Sequence, residues 1–273
     1  MQKHVPRTGD DAGLRVEKPE AGIAVLTLNR PGARNALSLA VLRALHATIE
    51  RLGQSPTIGA IVLAGEGSAF CAGHDLKEMT GHRADADGGR AFFDETMTAC
   101  AAMMQAIVAC PKPVIAAVHG IATAAGCQLV ATCDLAVAGE AATFATPGVN
   151  IGLFCSTPMV ALSRNIGRKR AMEMLLTGDA LSAEDALRFG LVNRVVPDGK
   201  VMTEALQLAR KISIASKATV AFGKAAFYRQ AEMPLADAYA YTAKIMVENM
   251  MAADAKAGIC AFLEKRTPEW QDS

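Results

Sequence analysis

Residues 113–148, PVIAAVHGIATAAGCQLVATCDLAVAGEAATFATPG, narrow the folds open to this chain more than any other stretch. The apolar run at 114–118 predicts a buried strand, 120–126 a turn of small residues, the residues from Ala125 onward a helix, and 135–138 a second strand. Small residues let another molecule approach the backbone, and the first amides of a helix have no intrahelical partner. Such a turn suits a developing negative charge, so anion stabilisation is the first functional expectation.

The same plan recurs upstream. Residues 23–28 (IAVLTL) read as a strand, NRPGARNAL as its closing turn, and Ser38 as the N-cap of a helix to about Gly53 with Leu39, Leu42, Leu45 and Ile49 on one face. Residues 58–64 read as another strand, followed by the turn GEGSAFCAGHD and a helix opening near Asp75. Residues 81–90 (GHRADADGGR) read as a mobile surface loop and a candidate lid, and 91–110 as a helix. Recurrence of strand, turn and helix predicts a layered α/β fold whose turns cluster at one edge. Beyond Thr157 the pattern is helical: 157–165, 169–177, 182–189 with the capping sequence SAED, and long helices from 198 to 265. The residues up to about Gly13 are polar and are expected to be loose.

Composition removes several function classes. With 28 Lys+Arg against 27 Asp+Glu the formal charge is +1, which provides no field for nucleic acid or an anionic membrane. Only 5% of residues are aromatic and no basic stripe interleaves them, so no nucleic-acid partner is expected. The longest weakly polar run, 99–110, is interrupted by Gln105 and is too short for a span of about 20 residues, so no membrane role is expected. The N-terminus has no apolar segment of the secretory kind. Seven scattered cysteines form no CxxC pair and have no histidine at metal-ligand spacing, which predicts reduced thiols, no metal and a cytoplasmic location. A mean hydropathy of +0.22 with so little net charge predicts apolar surface hidden between subunits.

Several motifs, in order along the chain, carry a family resemblance. NRPGARNAL (29–37), FCAGHDLKEM (70–79), GIATAAGCQLV (120–130), the segment AMEMLLTGDALSAEDALRFGLVNRVV (171–196) and AFLEKR (261–266) make the chain resemble the crotonase, or enoyl-CoA hydratase/isomerase, family from about residue 14 to 270. The resemblance implies an α/β fold, a superhelix of ββα turns with a C-terminal helical trimerisation region. It divides the chain into an acyl-CoA-binding core (14–195) and a helical oligomerisation region (196–273), assembled as a homo-trimer or hexamer. An acyl-CoA thioester is the implied ligand, with coenzyme A as part of the substrate and no further cofactor. Its thioester oxygen would be held by the main-chain N–H groups of His74 and Ala125, each such donor typically worth about 3–4 kcal/mol. Ala72, Asp75, Leu76 and Lys77, with Ala36, would line the coenzyme path. Arg34 would meet its phosphate, while Phe262 and Lys265 would reach the ligand of a neighbouring subunit. For Arg34 and Lys265, solvated surface charge is the competing reading.

Two departures decide what chemistry is left. The family's hydratases use a glutamate in a GCE segment and another in a PE pair; here Gln128 and Gly148 stand at those positions. An amide cannot exchange protons usefully and glycine has no side chain, although each positioned acid or base typically contributes about 10²–10⁴-fold. Cys155 is the sharpest replacement, as a thiolate with a lowered pKa near a helix start, against the plainer reading of an inert buried thiol. Ser156 and Thr157 read as N-caps, Asp75 as a helix cap, Glu78 as paired with solvent or lysine, and His119 as a satisfied core histidine. The His74 imidazole is expected in solvent or in a hydrogen-bonded setting, with a position over the acyl group as the other reading. The resemblance thus implies an enoyl-CoA hydratase-like lyase of fatty-acid metabolism. Its alternatives are a non-catalytic acyl-CoA-binding or scaffold protein and a CoA-thioester decarboxylase or hydrolase.

Overall fold

The computed structural model describes residues 8–272. Strand β2 (Leu14–Glu20) pairs antiparallel with β1 (Thr8–Asp11) on one side and β3 (Gly22–Leu28) on the other, and the chain leads on to α1 (Leu39–Gly53). Three ββα turns follow: β4 (Ile58–Gly65), β5 (Ala69–Cys71), α2 (Leu76–Gly81) and α3 (Arg90–Ala109); β6 (Val114–Val118), β7 (Ile121–Thr123) and α4 (Ala125–Thr132); then β8 (Leu135–Gly139), β9 (Thr143–Ala145), α5 (Pro158–Asn165) and α6 (Arg168–Thr177). The chain closes with β10 (Leu181–Ser182), α7 (Ala183–Phe189), β11 (Arg194–Val196), α8 (Val201–Ser213), α9 (Lys217–Gln230), α10 (Leu235–Met251) and α11 (Ala253–Leu263).

Each turn of this spiral adds one long strand to a seven-stranded sheet and one short strand to a four-stranded sheet of order β10-β9-β7-β5. The long strands are apolar throughout because both their faces are covered. Ile61, Leu63, Val114, Ala116 and Val118 pack with α1, α3 and α4, while Ala60, Val62, Ile115, Ala117 and Val137 face the other way onto Val201, Ala205 and Ala209 of α8. The first helix forms as its sequence predicts: Ser38 Oγ accepts from the Val41 N–H and Leu42, Leu45 and Ile49 are buried.

Three details refine the sequence reading. The segment expected to be loose carries β1 on β2 from Thr8 onward, and its earlier residues lie outside the described ones. Residues 81–90 lie at the surface, as read from the sequence, and are built from a short 3₁₀ stretch and turns. The His82 ring stacks on Phe92 with centroids 3.6 Å apart, and the Asp87 carboxylate accepts from the Gly89 and Ala91 N–H groups at the head of α3. The short strands β5, β7 and β9 lie within stretches that read as turns or as extensions of turns. Among the described residues no helix is long and apolar enough to cross a membrane, and no group of three metal-ligating side chains occurs.

Candidate active site

Strands β5, β7 and β9 are parallel neighbours, with Cys71 opposite Ala122 and Thr123 opposite Ala145. The chains leaving their C-terminal ends therefore emerge side by side, where parallel sheets commonly hold ligands. Gly73 and His74 follow β5, Ala124 and Ala125 follow β7, and Thr146 to Gly148 follow β9. Thr123 Oγ1 donates to Ala72 O at 3.1 Å and the Ala124 N–H to Ala145 O at 2.9 Å, tying the three exits together.

Small residues make this approach possible. A Cβ on Gly126 would lie 2.1 Å from Cys71 O, and one on Gly73 would lie 3.0 Å from Ala124 Cβ and 3.3 Å from Ala125 N. The His74 turn and the head of α4 are thus in contact. Leu37 bridges His74, donating to Gly73 O at 2.8 Å and accepting from the Asp75 N–H at 3.1 Å, which leaves the His74 N–H between them unused. Ala125 is the first residue of α4, so its N–H has no carbonyl one turn back to donate to. Among the described residues neither amide has an acceptor.

The side chains around these amides are largely uncharged. The His74 Nε2 is buried without a hydrogen-bond partner, and burial pushes the imidazole pKa down, so the ring is held neutral. The residue is half-buried, and among the described residues its Nε2 lacks the hydrogen-bonded setting that was one expectation. Gln128 is only 4% exposed and its Oε1 has no partner. Helical side chains lean toward the N-terminus, so Gln128 covers the turn that Ala125 opens. Gly148 is buried beside Cys155. Burial raises the Cys155 pKa against an opposing pull from the Gly148 N–H, so a ready thiolate is replaced by a resident thiol. Ser156 Oγ bonds to Phe154 O at 3.3 Å, and Thr157 stands at the head of α5 without a side-chain cap bond, so neither caps by its hydroxyl.

The residues matched to the coenzyme path gather on one edge. The Arg34 carbonyl accepts from the Ala72 N–H at 3.0 Å, and the Ala36 carbonyl accepts from Arg30 Nη1 at 2.7 Å. Asp75 caps α2 through the Glu78 N–H and pairs with Arg30 at 3.1 Å. Burial works against its charge, but those partners prevail and hold its carboxyl below the usual range. Glu78 is not a solvent-facing charge: its Oε2 accepts from the Leu39 N–H at 3.0 Å, capping the head of α1. His119 is half-buried and satisfied, with Nε2 2.8 Å from Gly67 O. Arg34, Leu76 and Lys77 are exposed. Phe262 lies in the last turn of α11 and Lys265 just beyond it, and α11 packs on α9 and α10. A cavity of about 460 Å³ between α1 and α3, lined by His46, Glu50 and Gln105 among others, contains none of the candidate residues. Sequence reasoning missed Thr146, fully buried with an unpartnered Oγ1. Nothing in ATPG distinguishes it from an ordinary turn residue.

Two sheets wound in ββα turns describe a fold that proteins of known family share. The model of the enoyl-CoA hydratase/isomerase family matches residues 18–273, and the chain belongs to that family, the crotonases. It is similar to the mitochondrial enoyl-CoA hydratase domain-containing protein 3 of Rattus norvegicus, 47% identical over 257 residues that cover 94% of this chain and 84% of that one. Among solved structures it resembles the enoyl-CoA hydratase of Mycobacterium smegmatis (53% identity, TM-score 0.89, covering 94% of this chain and 98% of that one). It also resembles human enoyl-CoA hydratase domain-containing protein 3 (45% identity, TM-score 0.89, covering 94% and 100%).

These relatives correct the cytoplasmic expectation. The domain-containing 3 proteins of rat, Xenopus laevis, mouse, human and Danio rerio are all named as mitochondrial. Unpaired cysteines report a reducing environment and do not distinguish one reducing compartment from another.

Proposed function

We propose that the protein binds an acyl-CoA thioester and stabilises its enolate with the main-chain N–H groups of His74 and Ala125, in an enoyl-CoA hydratase-like lyase reaction of fatty-acid metabolism. The observation that carries this reading is the pair of acceptor-free amides on touching turns. Fixed donors beside a developing oxyanion need no reorganisation as charge appears, and each is typically worth about 3–4 kcal/mol. Arg34, Ala36, Ala72, Leu76 and Lys77 hold the coenzyme moiety while Asp75 fixes their edge through Arg30. Coenzyme A enters as part of the substrate. Phe262 and Lys265 act on the ligand of a neighbouring copy in a homo-trimer or hexamer built through the helical region 196–273.

Short and medium 2-enoyl-CoAs test the lyase reading. Loss of the conjugated thioester absorbance is expected, and no turnover above background across chain lengths removes it. Ala125→Pro deletes one donor, though it strains Ala124 at φ 50° and ψ −118°, and in protein that still melts cooperatively it is expected to lower turnover by about 10²–10³-fold.

The uncharged Gln128 and Gly148 positions favour a second reading, an acyl-CoA-binding or scaffold protein without chemistry. Calorimetric binding of acyl-CoA with no turnover supports it. Decarboxylation or hydrolysis of a CoA thioester needs only the enolate site and one further group, and product masses detect either.

A further inference from the structure

The chain leaving β9 doubles back on itself. It passes through the 3₁₀ turn Pro147–Ile151 and the left-handed Gly152 (φ 76°), and the Leu153 N–H donates to Gly148 O at 2.9 Å. This return brings Cys155 against Gly148. A Cβ on Gly148 would lie 2.9 Å from Cys155 Sγ, so the sulfur stands in the space a side chain at 148 would enter.

Two unsatisfied polar atoms lie on the segments that follow β7 and β9. Gln128 Oε1 and Thr146 Oγ1 belong to residues 4% and 0% exposed and have no partner among the described residues. Buried polar atoms are nearly always paired, so orphans at the exits of adjoining strands point to a polar ligand between them. Gln128 leans over the Ala125 turn, and Thr146 precedes Gly148 by two residues. Burial, and to a lesser extent the neighbouring Cys155, raises the thiol pKa of Cys127, the residue next to Gln128.

Resting on the acyl-CoA reading above, we propose that Cys155 is the proton carrier of this pocket, exchanging a proton with the carbon beside the thioester carbonyl. In one direction the thiolate takes that proton, an S–H bond forms, and the C–H electron pair becomes the enolate whose oxygen the His74 and Ala125 amides hold. In the other direction the thiol returns the proton to carbon, the carbonyl re-forms and sulfur keeps the S–H electron pair. No oxidant, reductant or leaving group is involved. Burial keeps the group a thiol near neutral pH, and the Gly148 N–H stabilises the thiolate when it forms. Removal of a proton from carbon therefore speeds up with pH.

Saturated acyl-CoAs isolate this step because they cannot be hydrated. Butyryl-CoA and octanoyl-CoA are incubated with the full-length protein in D₂O, and their masses are followed across pH while calorimetry measures their binding. The wild type is expected to introduce deuterium beside the carbonyl, faster as pH rises. Cys155→Ala and the near-isosteric Cys155→Ser are expected to bind but to exchange about 10²-fold more slowly or worse. A structural thiol would instead let serine exchange normally. Variants that bind and exchange at the wild-type rate overturn the assignment, as does a wild type that binds without exchange. If neither ligand binds the wild type, the acyl-CoA reading itself fails and the assignment with it.

Discussion

Ala124 carries the strain of the site: a residue with a Cβ held at φ 50° and ψ −118°, immediately before the amide that the site needs. Such a conformation typically costs about 1–3 kcal/mol. Ala124→Gly is expected to raise stability by about 1 kcal/mol after allowing for glycine's greater unfolded freedom, seen as a melting temperature higher by about 2–4 °C. His74 sets a pH dependence of the opposite kind to an ion pair. Its folded-state pKa lies below the ordinary value of about 6.5, so the unfolded chain takes up a proton that the folded chain refuses. The stability is complete above that value and is lost as pH falls through it. Melting between pH 8 and 5 is expected to drop further in the wild type than in His74→Gln. Position 148 is closed to a simple reversal. Glutamate there would meet Cys155 Sγ at 2.9 Å and Leu153 O at 3.0 Å, so Gly148→Glu is expected to cost about 1–3 kcal/mol in urea unfolding. Cys155→Ala in the same chain is expected to recover part of that loss. Residues 74, 125, 128 and 148 were singled out in the sequence by their match to the family's motifs, and all four lie on the segments that follow β5, β7 and β9. The contact of Cys155 with Gly148 was not legible there, since it depends on a seven-residue return with no local signature.

At the scale of elements, the long strands and helices followed directly from their apolar periodicity, and α1, α3 and α4 begin within a residue of where that periodicity puts them. The three-residue strands β5, β7 and β9 were hidden for a physical reason. Their stability comes from pairing with one another across the second sheet, not from their own side chains, and AFC, IAT and TFA are too short to show alternation. Glu78 illustrates the same limit: reading it as a solvated charge ignored α1, whose head lies beside it only after folding. The attachment of α9 is also tertiary. The Lys224 ammonium, 9% exposed as a residue, donates to Ile107 O at 2.9 Å, Lys112 O at 3.2 Å and Asp134 Oδ2 at 2.7 Å. Asp134 in turn accepts from Tyr228 at 2.9 Å and from the Val114 N–H at 2.7 Å, so every member is satisfied. Removing one partner of such a pair strands the other charge. Lys224→Met is expected to destabilise by about 3–5 kcal/mol, read as a lower urea midpoint, while the double variant Lys224→Met/Asp134→Asn loses less than the sum.

The whole molecule leaves a large apolar area uncovered on its C-terminal side. Leu235, Tyr239, Met251, Phe262 and Leu263 are each more than 70% exposed, on helices α10 and α11 that pack mainly against α9 and each other. Scattered exposed apolar side chains are ordinary, but a run of this size on consecutive helices is the kind of surface that another subunit covers. The +1 formal charge adds little repulsion between copies. Phe262 is 81% exposed on the same face, so a neighbouring copy would cover a residue matched to coenzyme contacts. Light scattering is expected to give three or six times the 28.6 kDa chain mass. Met251→Glu with Leu263→Glu places two like charges on that face and is expected to yield smaller species. If the face serves the site through a neighbour, those species also bind acyl-CoA more weakly while the melting of each isolated chain changes little. A wild type that runs as a 28.6 kDa monomer at all concentrations sinks this account, because the site would then have to hold its ligand without α11.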